Sequence, residues 1–461
     1  MQKYIVQYLY ENTQDKRAKR FLDYMKIDLD IRLWSTGLQT PYSFEYEMLL
    51  RQWSAKQEAQ LSVWKKLKRK IKSLVAVKAG VSHTPYSSNI NSSYQHTWSV
   101  LSLVENISEE NKKKIEEIGI ELVSFKEAKN RFSSISKLCK WYNSLSHLSF
   151  NELLEEKHAI VLNNLYNEAL NEVRQSDFNA VLVRTSELFY EKFFIDVFRE
   201  IGRPSITLLH GLPAVYTKAT ESRSDYLLVW GNKIRENFIK AGYDPEHVIV
   251  AGNYKYTKEQ LQAQNSTLRC SLSDVLILTS ATYAEFQHEW EWEKFSVQDR
   301  SLLITYLYSI ESVLKRCGVK HARLRPHPSV NKEWLADYVD LSFYQLDYED
   351  FNTSLSKATL CIGQTSSTFL EALMSGVTYL VYEPGDGTHT ISQGNLVPPF
   401  DGSEKALQVA YTERQLEQLI AQSYSPNKSI LGEYLCAFEP GVLVGVLSDC
   451  KSVIYGISGG G

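Results

Sequence analysis

From residue 180 onward, short apolar runs alternate with stretches of helical spacing, and this rhythm restricts the chain to very few folds. AVLVRT (180–185), SITLLHG (205–211), YLLVWG (226–231) and VIVAGN (248–253) come first. Helical patterns lie between them, over Glu187 to Gly202 and from Lys233. The runs are apolar throughout, without a polar residue at every second place. Such strands are buried on both faces, as in a parallel sheet covered by helices. The polar stretch Thr257 to Ser273 breaks the rhythm. It then resumes with DVLILTS (274–280), a long helix between Asp299 and Cys317, HARLRPHP (321–328), LSFYQL (341–346), ATLCIGQTSS (358–367) and VTYLVYEP (377–384). The expectation is two α/β, Rossmann-like domains facing a central cleft. The first covers 1–256, the second 274–400, and a tail over 401–461 packs back on the first.

The first 180 residues carry a weaker pattern. YIVQYLY (4–10), SLVAVKAG (73–80) and IELVSF (120–125) read as strands, and 47–72, 96–116 and 150–176 as helices. The basic run WKKLKRKIK (64–72) is either a solvated helix face or a surface for anionic lipid or an acidic glycan. A length of 461 residues favours two domains, and a net charge of −3 argues against nucleic acid as a partner. No run approaches the roughly 20 apolar residues of a membrane span. The six cysteines lack C-x-x-C spacing and read as reduced thiols, which suggests a cytoplasmic protein. No metal-ligand cluster stands out. The end, SGGG (458–461), reads as a linker, so further modules on the same natural chain are expected.

In folds of this type ligands sit at the carboxyl ends of strands. RLRPHPS (323–329) ends one strand with Arg325, His327 and Pro328. The prolines fix the chain direction, so His327 can donate to a phosphate oxygen and Arg325 can add charge. A proline-rich turn with a surface histidine is the plainer alternative. GQTSSTFLEALMSG (363–376) ends another strand and opens a helix. Capping needs one hydroxyl, yet Thr365, Ser366, Ser367 and Thr368 follow in a row. Glu371, one turn in, could reach ribose hydroxyls or face solvent. Together these signals suggest a nucleotide phosphate held without metal. In the first unit Arg184, Ser186, His210 and Gly211 mark strand ends. Glu187 is a candidate acid or base, or simply a first-turn helix acid favoured by the dipole. Asn232 stands on the corner after YLLVWG, either as the cap of the next helix or at the centre of the chemistry.

The order H-G, v-W-G, A-G-N, R-P-H-P, then S-S-T with E-A-L resembles GT-B glycosyltransferases of bacterial surface polysaccharides, over roughly 180–385. Within that group it is most similar to retaining β-Kdo transferases of the WbbB type, which build lipopolysaccharide O-antigen. The resemblance implies a CMP-β-Kdo donor, a glycan hydroxyl as acceptor, either lipid-linked or on an oligosaccharide, no metal cofactor and a carboxylate nucleophile. The CMP site would comprise Arg325, His327, Pro328, Thr365 to Thr368 and Glu371. Arg184, Ser186, His210 and Gly211 would meet donor sugar or acceptor. The expected location is the cytoplasm, either free or peripheral at the inner face of the bacterial inner membrane. The resemblance implies Asp directly after the v-W-G glycine, where this chain has Asn232. Asn232 and Glu187 are the catalytic candidates, in a chain expected to be weakened at its nucleophile. Sialyl transfer from CMP-sialic acid, glycerophosphate transfer from CDP-glycerol, and a non-catalytic glycan-binding module are the alternatives.

Overall fold

The structure, a computed structural model, describes residues 5–29, 98–213, 215–217, 223–262, 267–279, 286–288, 295–297, 300–327, 335–385 and 396–456. The chain forms two compact units, and they are not the two sheets. One unit takes in Met1–Trp98 and Lys126–Ser176. Its described elements are helices, among them Ile5–Asn12, Lys16–Tyr24, Ser133–Ser144 and Glu156–Gln175. Arg20 joins two of them, with its guanidinium 3.6 Å from the Tyr166 ring centroid and Nη1 donating to Asn163 Oδ1 at 3.0 Å.

Two expectations in this part of the sequence are corrected. Residues 4–10 do not form a strand, because Ile5–Asn12 is a helix. Val6 and Leu9 are both buried. Three residues apart, they share a helical face but would lie on opposite faces of a strand. The expected helix over 96–116 is instead strand β1 (Trp98–Ser102) followed by the helix Glu109–Glu117. All five residues of β1 are buried, two of them serines, and those serines masked the strand in the sequence. Residues 120–125 do supply a strand, β2 (Ile120–Ser124), and 150–176 are helical as Phe150–Leu153 and Glu156–Gln175. The stretches 47–72 and 73–80 lie outside the described residues.

The other unit, Ser99–Phe125 with Asp177–Gly461, holds both six-stranded sheets. The first adds β3 (Phe178–Val183), β4 (Ser205–Leu208), β5 (Tyr226–Val229) and β6 (Val248–Val250), in the order β2-β1-β3-β4-β5-β6. Its ladders from β1 to β6 are parallel, with Leu182 opposite Ile206 and Leu228 opposite Ile249. The second sheet comprises β7 (Val275–Leu278), β10 (Ala322–Arg325), β11 (Tyr344–Leu346), β12 (Leu360–Gly363), β13 (Thr378–Tyr382) and β14 (Val409–Ala410). Its order is β11-β10-β7-β12-β13-β14, again parallel throughout. A small antiparallel pair, β8 (Phe286–His288) and β9 (Phe295–Val297), stands apart. Strands β3, β4, β7, β12 and β13 carry almost no exposed residue, which accounts for their continuously apolar sequence.

After the second sheet the chain returns to the first. Helix Ser429–Tyr434 packs Ile430, Leu431 and Tyr434 into one core with Trp230, Ile234 and Phe238. Residues 436–439 then run along the ends of β5 and β6. Cys436 N donates to Trp230 O (2.9 Å), Asn253 N to Cys436 O (3.0 Å) and Glu439 N to Ala251 O (2.8 Å).

Candidate functional site

Each sheet reverses its strand order once, between β1 and β3 in the first and between β7 and β12 in the second. Connections diverge at such a point and leave a crevice beyond the carboxyl ends. In the second sheet the residues at that crevice are Thr279, after β7, and Gln364 to Ser367, after β12. His327 joins them, because its backbone N–H donates to Thr279 Oγ1 at 2.9 Å. The hydroxyl-rich loop is braced from beneath. Thr365 donates from its N–H (2.6 Å) and hydroxyl (2.9 Å) to Oε1 of the fully buried Glu383. Tyr379 Oη donates to Gln364 O at 2.6 Å. Ser366 Oγ accepts from Thr368 N at 3.3 Å.

Two members of the expected nucleotide set have protein partners that define their roles. Arg325 is turned onto its own sheet. Its Nη1 donates to Asp347 Oδ1 (3.4 Å), Ser354 Oγ (3.2 Å) and the Glu349 carbonyl, and the guanidinium lies 5.3 Å from the Phe351 ring centroid. These contacts make it an anchor for the turn that carries His327. Ser367 occupies the N-cap position but makes no side-chain cap. Its Oγ instead accepts the Leu212 N–H of the first sheet at 3.0 Å. Pro328 lies outside the described residues.

On the first sheet, Arg184 Nε meets Glu191 Oε1 at 3.2 Å. Glu191 is buried, and burial pushes its carboxyl upward against the pull of Arg184. The first-turn acid of helix Phe189–Glu200 is thus Glu191, and Glu187 lies ahead of that helix. Glu187 Oε2 stands 3.9 Å from the ammonium of Lys192, which is almost fully buried, and Ser186 Oγ donates to Glu187 Oε1 at 3.3 Å. His210 places Nδ1 3.1 Å from Arg184 O. Its surface is exposed by area, yet the ring lies among many protein atoms. That poor solvation, with the Lys255 and Arg184 charges nearby, lowers its pKa against the opposing pull of the Arg184 carbonyl. The neutral ring then carries its proton on Nδ1, toward that carbonyl, and leaves Nε2 as an acceptor.

The corner after β5 is built by Trp230 and Gly231. Buried Trp230 donates Nε1–H to Leu209 O at 2.6 Å, tying β5 to the end of β4. Trp230→Phe is expected to destabilise the protein by roughly 1–3 kcal/mol, the cost of a lost buried hydrogen bond; a chemical-denaturation midpoint equal to that of the parent would show the bond to be unimportant. The helix N-cap is Gly231, and Asn232 is the first helical residue, Asn232–Lys240. Capping by Asn232 is therefore corrected. Its side chain is exposed and hydrogen-bonds no described residue.

The ends of the two sheets meet. A Cβ on Gly211 would lie 3.0 Å from Ser367 Oγ, so the glycine admits that hydroxyl. Glu371 does not face solvent. It is half-buried, burial raises its pKa, and it hydrogen-bonds the Tyr256 hydroxyl from the chain beyond β6. The fold is GT-B-like.

No protein-family model matches the chain, and no curated protein matches it. Solved structures similar to this GT-B-like chain include the UDP-GlcNAc 2-epimerase of Methanocaldococcus jannaschii in complex with UDP-GlcNAc and UDP (13% identity, TM-score 0.43, covering 76% of this chain and 98% of that one). Also similar are the Neisseria meningitidis UDP-GlcNAc 2-epimerase bound to UDP-GlcNAc (12% identity, TM-score 0.41, covering 76% and 99%) and S. aureus MnaA with UDP (13% identity, TM-score 0.44, covering 76% and 95%).

Four residues at these strand ends escaped the reading of the sequence: Glu191, Lys255, Thr279 and Glu383. Glu383 alone had a local signal, as an acid closing the apolar run VTYLVYEP.

Proposed function

We propose that the protein is a sugar-nucleotide-dependent glycosyltransferase that takes a CMP-activated acidic sugar, with CMP-β-Kdo as donor and a hydroxyl of a bacterial surface glycan as acceptor. The carrying observation is the state of Asn232: an exposed first helical residue, not a cap, just beyond the carboxyl end of β5. Its amide bonds no described residue and so is open to a ligand. The similarity to retaining β-Kdo transferases supplies an aspartate at that place.

In the proposed reaction CMP lies at the β7/β12 crevice, between His327 and Ser366. A carboxylate at position 232 attacks the anomeric carbon, the bond to the CMP oxygen breaks, and CMP leaves with the electron pair. The acceptor oxygen then displaces the carboxylate and loses its proton, and two inversions give retention. Glu187 is occupied by Lys192, which favours His210 Nε2 as the acceptor of that proton. The nucleotide is proposed to bind without metal. The enzyme is proposed to work in the cytoplasm, at the inner face of the inner membrane, beside other glycosyltransferase modules. No helix among the described residues is long and apolar enough to cross a membrane.

His327→Ala is expected to weaken CMP binding by roughly 1–3 kcal/mol, the usual loss for a hydrogen bond to a charged group. Calorimetric titration of both chains, with and without a chelator, is the test. Equal affinities would remove His327 from the site, and binding that needs magnesium would overturn the metal-free proposal. Failure of CMP to bind the parent chain would overturn the proposed donor.

A further inference from the structure

Lys255 follows β6, where the chain leaves the first sheet. Its ammonium donates to His210 O at 2.6 Å and sits 5.7 Å from the Trp230 ring centroid. It therefore lies between the ends of β4 and β5, beside the corner that carries Asn232. An ammonium has three N–H donors, and one is used here. Among the described residues no carboxylate comes within ion-pairing distance; Glu371 acts on it only from farther away. Arg184 adjoins the same histidine through its backbone, and its charge is felt at the ring. Its Nε is held by Glu191, whereas its terminal nitrogens take no described partner, and its carbonyl receives His210.

A tether to one carbonyl needs only one neutral donor, which a glutamine could provide. Lysine adds a full charge, and holding it among protein atoms is costly without a counter-ion. That cost lowers the Lys255 pKa, with Glu371 opposing. Two cations gathered around one histidine also repel each other. Both costs are relieved by an anion.

We propose that Lys255 and Arg184 form a two-cation site around His210 that binds an anionic oxygen of the donor. This rests on the proposed function for the identity of the donor, and two of its groups carry such oxygens: the sugar carboxylate and the phosphate. Lys255 is tied to the ends of β4 and β5 in the first sheet, whereas His327 is tied to Thr279 of the second, and this favours the carboxylate.

The test uses the full chain and its Lys255→Gln and Lys255→Arg variants, with CMP, the CMP-activated sugar acid made in situ, and inorganic phosphate as ligands. Lys255→Gln keeps a donor for the His210 carbonyl, and thermal melting reports whether each variant is folded. Lys255→Gln is expected to weaken binding of the sugar nucleotide 10- to 100-fold and to flatten its salt dependence, while Lys255→Arg retains most of the affinity. Unchanged CMP affinity in Lys255→Gln assigns the site to the carboxylate, and a parallel loss for CMP assigns it to the phosphate. Equal affinities of parent and folded Lys255→Gln for all three ligands would overturn the proposal and leave Lys255 a tether. If CMP and the sugar nucleotide fail on the parent while phosphate binding still depends on Lys255, the anion site stands and the CMP donor falls. Should Lys255→Gln not fold, Lys255→Met and Lys255→Arg carry the same comparison, and equal affinities of those two would overturn it.

Discussion

Replacing Asn232 by aspartate is expected to raise the rate of sugar transfer by on the order of 10⁴–10⁶, the usual worth of the nucleophile in covalent catalysis. The physical basis is charge. An amide oxygen is a weak nucleophile and offers no negative charge to an anomeric carbon as its bond to CMP breaks. Aspartate has the same shape, so the site need not rearrange. At the first position of helix Asn232–Lys240 a carboxylate also faces the positive end of the helix dipole, worth about 0.3–1 kcal/mol in its favour. Stability should accordingly stay level or rise slightly. Transfer rate and intact-protein mass after donor alone are the measurements. The aspartate variant should gain the mass of one sugar residue. Equal rates for the two chains would show that position 232 takes no part, and the double displacement would fall with it.

Gly252→Ala should have the largest structural effect, a loss on the order of 4 kcal/mol. Gly252 has φ +82°, a region that L-residues with a Cβ avoid. An added Cβ would stand 2.7 Å from Phe438 N and closer still to the Ala437 carbonyl. Neither obstacle is a flexible side chain, so the returning segment must move away from β6. Gly231 has the same neighbour in another guise, since its Cβ would meet Tyr434 C at 2.5 Å and Glu433 O at 2.6 Å. A fall in the denaturation midpoint together with loss of CMP binding is expected for Gly252→Ala. A fully stable variant would mean that residues 436–439 dock loosely.

The doubly covered sheets were legible because burial on both faces leaves no room for polar residues. AVLVRT and ATLCIGQTSS therefore announced β3 and β12 without ambiguity. β1 was hidden by Ser99 and Ser102, buried serines that composition treats as surface residues. The hydroxyl run at 365–368 was visible as a motif, but its division of labour was not. Thr365 serves Glu383, and Ser367 serves Leu212, 155 positions away. Such partners come from the register of distant strands, which no local window contains. Lys255 is the same case, because only folding brings its ammonium to His210, 45 positions back. Asn232 was singled out correctly as a corner residue, while its freedom from capping depended on where the backbone of Gly231 turned.

The segment that returns to the first sheet also sets the order in which the protein can be finished. Trp230 O receives both the backbone N–H and the thiol of Cys436, partners 206 positions apart. A chain emerging from the ribosome therefore exposes the β5 corner, with that carbonyl unpaired, until the whole of the second sheet has been synthesised. Contacts of such separation form slowly, because a long loop must close before they repay its entropy. Completion of this corner thus waits for residue 436 to emerge, and a nascent fragment ending near residue 270 would hold the strands of the first sheet without a completed rim.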